Sequence, residues 1–330
     1  MEKVLFALLP LPFGIGFLAP GPAQEPIASE VVFHFTDPEI VESSGLVAQD
    51  GLVVTVNDSG DSNRVFTVDP ATGATVGVTR WQGEADDIEA LAPAGDGYVW
   101  VGDTGDNEHA RDAITVSKVP FGRGDREVRA ASYRLSYGTG AQDAETLLTD
   151  PTTGRLYVVT KGVFGRVYAA PETLDADAVN RLTPVDEVLG IATDGAFFPD
   201  GEHVIIRNYT QAAVYTWPDL DRVALLDLPA QQQGEGIAVT ADGEILLSSE
   251  GQEAEVLRVE LPDDVRTEMA EASSVPSDGA TPDGQQDGQQ DGQQETAPVR
   301  AEERSWWPWA LGGAAGIAIV AVLLRSLRPR

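Results

Sequence analysis

The 330-residue chain contains no cysteine, and that absence removes disulfides, lipoprotein anchoring and thiolate metal sites together. Lysine is nearly missing as well: only Lys3, Lys118 and Lys161 occur, so arginine makes up almost all of the 22 basic residues. Against 53 acidic residues this leaves a formal charge of −31, which argues against nucleic acid, whose phosphates demand Lys and Arg. Histidine is confined to His34, His109 and His203, with no zinc-type spacing between them. There is no Gly-x-Ser-x-Gly and no Gly-rich phosphate loop, so triad and phosphate-loop chemistry find no support. The acidic excess itself has two readings: a solvated surface, or carboxylates gathered to hold a cation.

What the chain does have is a repeat. Glu42-Ser43-Ser44-Gly45-Leu46 leads to a turn at Gly51 and an apolar run over 52–56. Asp87-Ile88-Glu89-Ala90-Leu91 leads to Gly97 and 98–101, and Asp143-Ala144-Glu145-Thr146-Leu147 leads to Gly154 and 156–159. Asp194-Gly195-Ala196-Phe197 precedes Gly201 and 204–206, and Gly234-Glu235-Gly236-Ile237 precedes Gly243 and 244–249. The apolar anchors Leu46, Leu91, Leu147, Phe197 and Ile237 recur about every 40 to 56 residues, the period of a propeller or a related array.

Each copy continues into a third run (64–68, 113–119, 166–170, 213–217, 255–261), and four reach a fourth (75–81, 128–137, 181–188, 222–228). These runs are rich in Val, Tyr, Thr and Leu and are cut by Gly, Pro and Asp, which is the strand-and-turn signature. The fifth copy lacks a fourth run, while an orphan strand stands at 30–35, ahead of the first copy. Pairing the two closes a ring, so the expectation is an all-β, five-bladed β-propeller over 31–262, closed by the N-terminal strand. A six-bladed ring with one degenerate blade is the alternative.

The flanks predict export and tethering. An apolar stretch over 4–18, ending in Gly21-Pro22-Ala23, reads as a signal peptide over 1–23, or else as an uncleaved anchor. Residues 265–304, with three Asp-Gly-Gln-Gln units in 283–294, are too polar to bury a core and read as a disordered linker. Residues 306–324 carry no charge and open on Trp306-Trp307-Pro308-Trp309, a single C-terminal transmembrane helix with tryptophans at its outer interface. Arg325, Arg328 and Arg330 make 325–330 a cytoplasmic tail, which places the propeller outside the cell membrane.

In such a ring, the loops entering the innermost strands share one face with those joining second to third strands. The first set brings Glu42, Asp87, Glu89, Asp143, Glu145, Asp194 and Glu235 to that face; the second adds Lys161 and Arg207. These nine are the candidate ligand-binding residues. The loops Asn57-Asp58-Ser59-Gly60-Asp61 and Asp103-Thr104-Gly105-Asp106-Asn107 supply the candidate metal ligands Asn57, Asp58, Asp61, Asp103, Asp106 and Asn107. Crowded carboxylates repel unless neutralised, and oxygen-only ligands suit Ca2+. The competing reading is that Asp and Asn shape tight loops through side-chain-to-backbone bonds, and that the glutamates cap exposed backbone N–H groups.

The Asn-Asp-Ser-Gly-Asp loop (57–61), with Gly102-Asp103-Thr104-Gly105-Asp106-Asn107, Tyr157-Val158-Val159-Thr160-Lys161 and Gln233-Gly234-Glu235-Gly236-Ile237, resembles a family of secreted bacterial β-propellers, grouped with WD40-like and phytase-like propellers. The resemblance covers about 31–262 and implies fold and export more than activity. The family's Asp-Trp-Glu-Asp is reduced here to Asp87-Ile88-Glu89-Ala90. The function expected is therefore a membrane-tethered platform that binds an extracytoplasmic ligand or protein through an acidic, calcium-binding face. The alternative is a calcium-dependent hydrolase of phosphate or sugar esters, which needs its acids inside a deep channel-mouth pocket.

Overall fold

The computed structural model describes residues 25–274, apart from Ser59 and Glu84. The described chain is all-β, with 21 strands and one helix. Strand β1 (Ser29–His34) comes first. A first antiparallel unit follows, made of β2 (Ser43–Gln49), β3 (Leu52–Asn57), β4 (Arg64–Asp69) and β5 (Ala74–Trp81). The second unit is β6 (Ile88–Pro93), β7 (Tyr98–Asp103), β8 (Ile114–Pro120) and β10 (Ala131–Tyr137), with the short β9 (Arg126–Val128) intervening. The third is β11 (Ala144–Thr149), β12 (Leu156–Thr160), β13 (Gly165–Ala169) and β14 (Val179–Val188). The fourth is β15 (Asp194–Phe197), β16 (His203–Arg207), β17 (Gln211–Thr216) and β18 (Arg222–Asp227). The fifth has three strands of its own, β19 (Gly234–Val239), β20 (Ile245–Ser249) and β21 (Glu255–Val259), and β1 pairs antiparallel with β21 as its fourth. Among the described residues there is no sixth unit.

Strand alternation explains how the units pack. Successive side chains of a strand point to opposite faces, so a sheet buried on both faces reads as a nearly continuous apolar run. In β3, Val53 joins Leu46, Phe66, Leu246 and Val256 in a core between the fifth and first units. Its neighbour Val54 joins Val65, Leu91, Val99 and Val101 in a core between the first and second. Three further cores lie between the second and third, third and fourth, and fourth and fifth units. The first strands touch in the order β2, β6, β11, β15, β19 and back to β2. Each large side chain buried in such a core contributes about 1.5–3 kcal/mol.

Three features depart from the sequence reading. The expected fourth run over 128–137 is split: β9 pairs parallel with β5, and β10 completes the second unit and pairs parallel with β14. Both parallel pairs cover outer edges that would otherwise present unpaired N–H and C=O groups. The segment read as linker from 265 begins instead as a helix, α1 (Asp263–Ser274). Val265 and Met269, four residues apart and so on one helical face, are buried in the core between the fourth and fifth units. Finally, Ala196 rather than Phe197 holds the anchor register, because Ala196 pairs with Ile205 two residues before the end of its partner strand, as Leu91 does with Val101.

No helix among the described residues is long and apolar enough to cross a membrane. The predicted signal peptide over 1–23, the linker beyond 274, the span over 306–324 and the tail over 325–330 lie outside the described residues.

Candidate functional site

Four of the five first strands carry a one-residue bulge near their start. Glu89 is the extra residue in β6 and Glu145 in β11; the bulges in β2 and β19 fall at Ser44-Gly45 and Glu235-Gly236. Strand β15 has no bulge, and Asp194 pairs directly with Arg207. The residue two before each anchor is thus Ser44, Glu89, Glu145, Asp194 or Glu235. A bulge re-aims its side chain out of the ladder. Here it does so at the same end of adjacent strands, leaving Glu89, Glu145 and Glu235 only 2%, 3% and 2% exposed.

Burial sets their protonation. Burial, then the charges of Glu145 and Asp58, push the Glu89 carboxyl up to about 11. Its Oε2 accepts a hydrogen bond from Ser44 Oγ at 3.2 Å, and the same hydroxyl reaches the Glu89 carbonyl at 2.7 Å. Glu145 is raised to about 8 by burial, with Lys161 opposing and Glu235 adding. Lys161 forms an ion pair with Glu145 Oε1, which holds the ammonium protonated against burial, while Glu145 Oε2 is shut from solvent without a partner. Burial also raises Glu235, and burial with the charges of Glu235 and Asp58 raises Glu250 to about 7.

The loops sort the metal candidates. Asn57 Oδ1 accepts from the Val41 and Glu42 N–H groups, and its Nδ2 donates to Glu39 O and Asp61 Oδ2. Asp61 is paired with Arg64 at 2.8 Å. Asp103 Oδ1 accepts from the Asp86 and Asp87 N–H groups and from Arg111 Nη1. Asp106 accepts from the Ala110 and Arg111 N–H groups, while its own N–H donates to Asp143 Oδ1. These residues shape loops, and Asn107 is exposed.

Asp58 is different. It converges with Asp87 and Glu89, one oxygen from each lying within 4.8 Å of the others. Asp87 is raised to about 6 by burial and by the charges of Asp58 and Asp143. Its Oδ1 is shut from solvent with no hydrogen-bond partner. Its carboxyl packs so closely on Gly105 that a Cβ there would lie 2.2 Å from Oδ2 and would displace the carboxyl.

The remaining candidates divide. Asp194 is fully buried, its Oδ2 accepting from the Leu46 and Ile237 N–H groups and its Oδ1 from that of Gly195, and burial raises its carboxyl well above the usual range. Arg207 is also fully buried, donating to the carbonyls of Asn208 and Gly236, and burial lowers it to about 10. Asp194 opens the inner strand β15 and Arg207 ends its partner β16, both closed off from solvent. Glu42 is exposed at the rim, and Asp143 is half-buried beside Asp106. Sequence reasoning gave no role to Ser44 or Arg111. The bulge register finds Ser44. For Arg111, which ties Asp103 to the Gly105 carbonyl, the sequence carried no signal.

A cavity of about 620 Å3 opens at the other end of the inner strands, walled by Leu46, Leu91, Leu147, Ala196 and Ala238. None of Asp58, Asp87, Glu89, Glu145 or Glu235 lines it. No protein-family model and no curated protein matches this chain.

Proposed function

We propose that the five units are the blades of a β-propeller, closed by β1, and that its carboxylate-bearing end is a divalent-cation-dependent binding platform. The single observation carrying the reading is the convergence of Asp58, Asp87 and Glu89, with an Asp87 oxygen closed off from water and unpartnered. Oxygens on opposite sides of a Ca2+ ion stand about 4.6–5.2 Å apart, so three oxygens within 4.8 Å suit that ion. A buried carboxylate that lacks a donor is costly, and a cation supplies the missing charge. The platform reading is favoured over the hydrolase because the roomy cavity and the carboxylates are at opposite ends. The patterns at both termini support display of this head outside the cell, on one membrane helix.

Direct titration tests the cation site. Calcium added to chelator-treated protein is expected to bind at one site per chain, and Asp87→Asn or Glu89→Gln is expected to abolish that binding while the fold is retained. Binding that survives both substitutions would sink the assignment.

A further inference from the structure

We infer that the same end of the molecule docks a basic peptide segment bearing an apolar side chain, and that Val163, Phe164 and Ile191 receive the apolar part. The inference rests on the platform reading above but not on the cation. Val163 is 83% exposed, Phe164 70% and Ile191 46%. Val163 and Phe164 lie in the turn from β12 to β13, and Ile191 in the connection from β14 to β15, both at the end that carries Glu145 and Lys161.

The backbone that carries these side chains is held in place. The Ile191 N–H donates to the Gly162 carbonyl at 2.7 Å, and the Leu189 N–H donates to the Tyr215 hydroxyl at 2.7 Å. Asn208 Nδ2 donates to the Gly190 carbonyl at 3.2 Å. The two loops approach so closely that a Cβ on Gly190 would lie 2.0 Å from the Val163 carbonyl oxygen. Ile191 sits at φ 57, a left-handed conformation that a β-branched residue avoids unless its surroundings impose it. An apolar group displayed on a fixed, strained scaffold is the arrangement of a contact surface rather than of a fraying loop.

Charge selects the partner. Among the described residues, most cations of this end are already engaged: Arg64 with Asp61 and Glu39, Arg111 with Asp103 and Asp86, Lys161 with Glu145, and Arg166 with Glu187, while Arg80, in register with Arg64, forms no ion pair. Arg207 is fully buried. Glu42, Glu108, Asp112 and Glu253 stand exposed around them. The field over this end is therefore negative. It repels phosphate backbones and anionic lipid, and it attracts Arg and Lys. A basic segment with one bulky apolar residue meets both halves of the surface, with the apolar contact as its anchor.

The test uses the full chain and a fluorescein-labelled, blocked decapeptide of alternating arginine and leucine, titrated by fluorescence anisotropy. Saturable binding is expected, weakened about tenfold or more in a Val163→Ser/Phe164→Ser protein and weakened again as salt rises. A peptide with serine in place of leucine should bind no better to the native protein than to the variant. Because both substituted positions are exposed, the variant should melt like the native protein and keep its calcium response, so docking and the cation site fail separately. Equal affinity for native and variant protein, or no saturable binding, overturns the inference. So does a variant whose main change is in self-association by sedimentation, or in binding to neutral lipid vesicles, since a second copy or a membrane would then own the patch.

Discussion

Asp194 accepts three backbone hydrogen bonds, and two of them come from other units, Leu46 in the first and Ile237 in the fifth. One carboxyl group thus ties three inner strands together where a plain ladder would leave those N–H groups without partners. Asp194→Ala removes every acceptor at once and strands three buried donors, each costing about 1–3 kcal/mol. Equilibrium urea unfolding should show a loss of about 3 kcal/mol or more; a loss below about 1 kcal/mol would mean that the clasp is incidental. The glutamates act in the opposite sense. Glu145 titrates near 8 and Glu250 near 7 in the folded protein, above their usual value, because burial and neighbouring carboxylates disfavour the charged form. A raised acid binds its proton more tightly folded than unfolded, so stability increases as pH falls through the folded pKa toward the unfolded one. With divalent ions chelated, the protein should gain stability between pH 8 and 5, with a slope of at most about 1.4 kcal/mol per pH unit for each such group. Glu145→Gln should make that profile shallower, with Glu89 and Glu250 still contributing, whereas a profile that falls toward acid would contradict the assignment.

Strand β1 stands apart in sequence from the unit it completes, and its contribution is concentrated in few side chains. Phe33, in β1, and Phe35, just past its end, lie edge to face, 5.6 Å between centroids, within the core between the fifth and first units, and Phe35 is fully buried. Phe35→Ala should cost about 3–5 kcal/mol, read as a lowered midpoint in chemical unfolding; a midpoint within error of native would deny the closing role. The orphan strand was legible because one copy of the repeat lacked a fourth run, and period-two alternation made the remaining strands legible. The bulges were not. An extra residue in four of the five first strands changes neither composition nor alternation visibly, yet it is what aims Glu89, Glu145 and Glu235 at one end. Strand β15 lacks that extra residue, and counting as if it were there misplaces the anchor at Phe197. Helix α1 escaped notice because only Val265 and Met269 mark its buried face within a polar stretch. The loop acids were ambiguous for a related reason. Asn57, Asp61, Asp103 and Asp106 have the composition of a cation loop, but their oxygens are taken by backbone N–H groups and arginines that lie outside the motif.

At the scale of the whole molecule, five cores alternate with five sheet units, and each unit contributes its first strand to a shared inner surface. That repetition places acids from different units side by side at one end, which no single unit achieves. If the head is displayed outside the cell, protease added to intact cells should release it by cutting between α1 and residue 306, and protection until lysis would reverse the topology. The proposed cation site of Asp58, Asp87 and Glu89 is open to thermal melting. Binding to the folded state alone stabilises by RT ln(1 + [Ca2+]/Kd), about 2.7 kcal/mol at a hundredfold excess over Kd. The protein should melt several degrees higher in Ca2+ than in Mg2+ or in NaCl of equal ionic strength, and Asp87→Asn and Glu89→Gln should each remove the difference. Equal shifts of the native protein in all three salts, or a calcium-specific shift that both substitutions retain, would leave only a screened acidic surface at these residues.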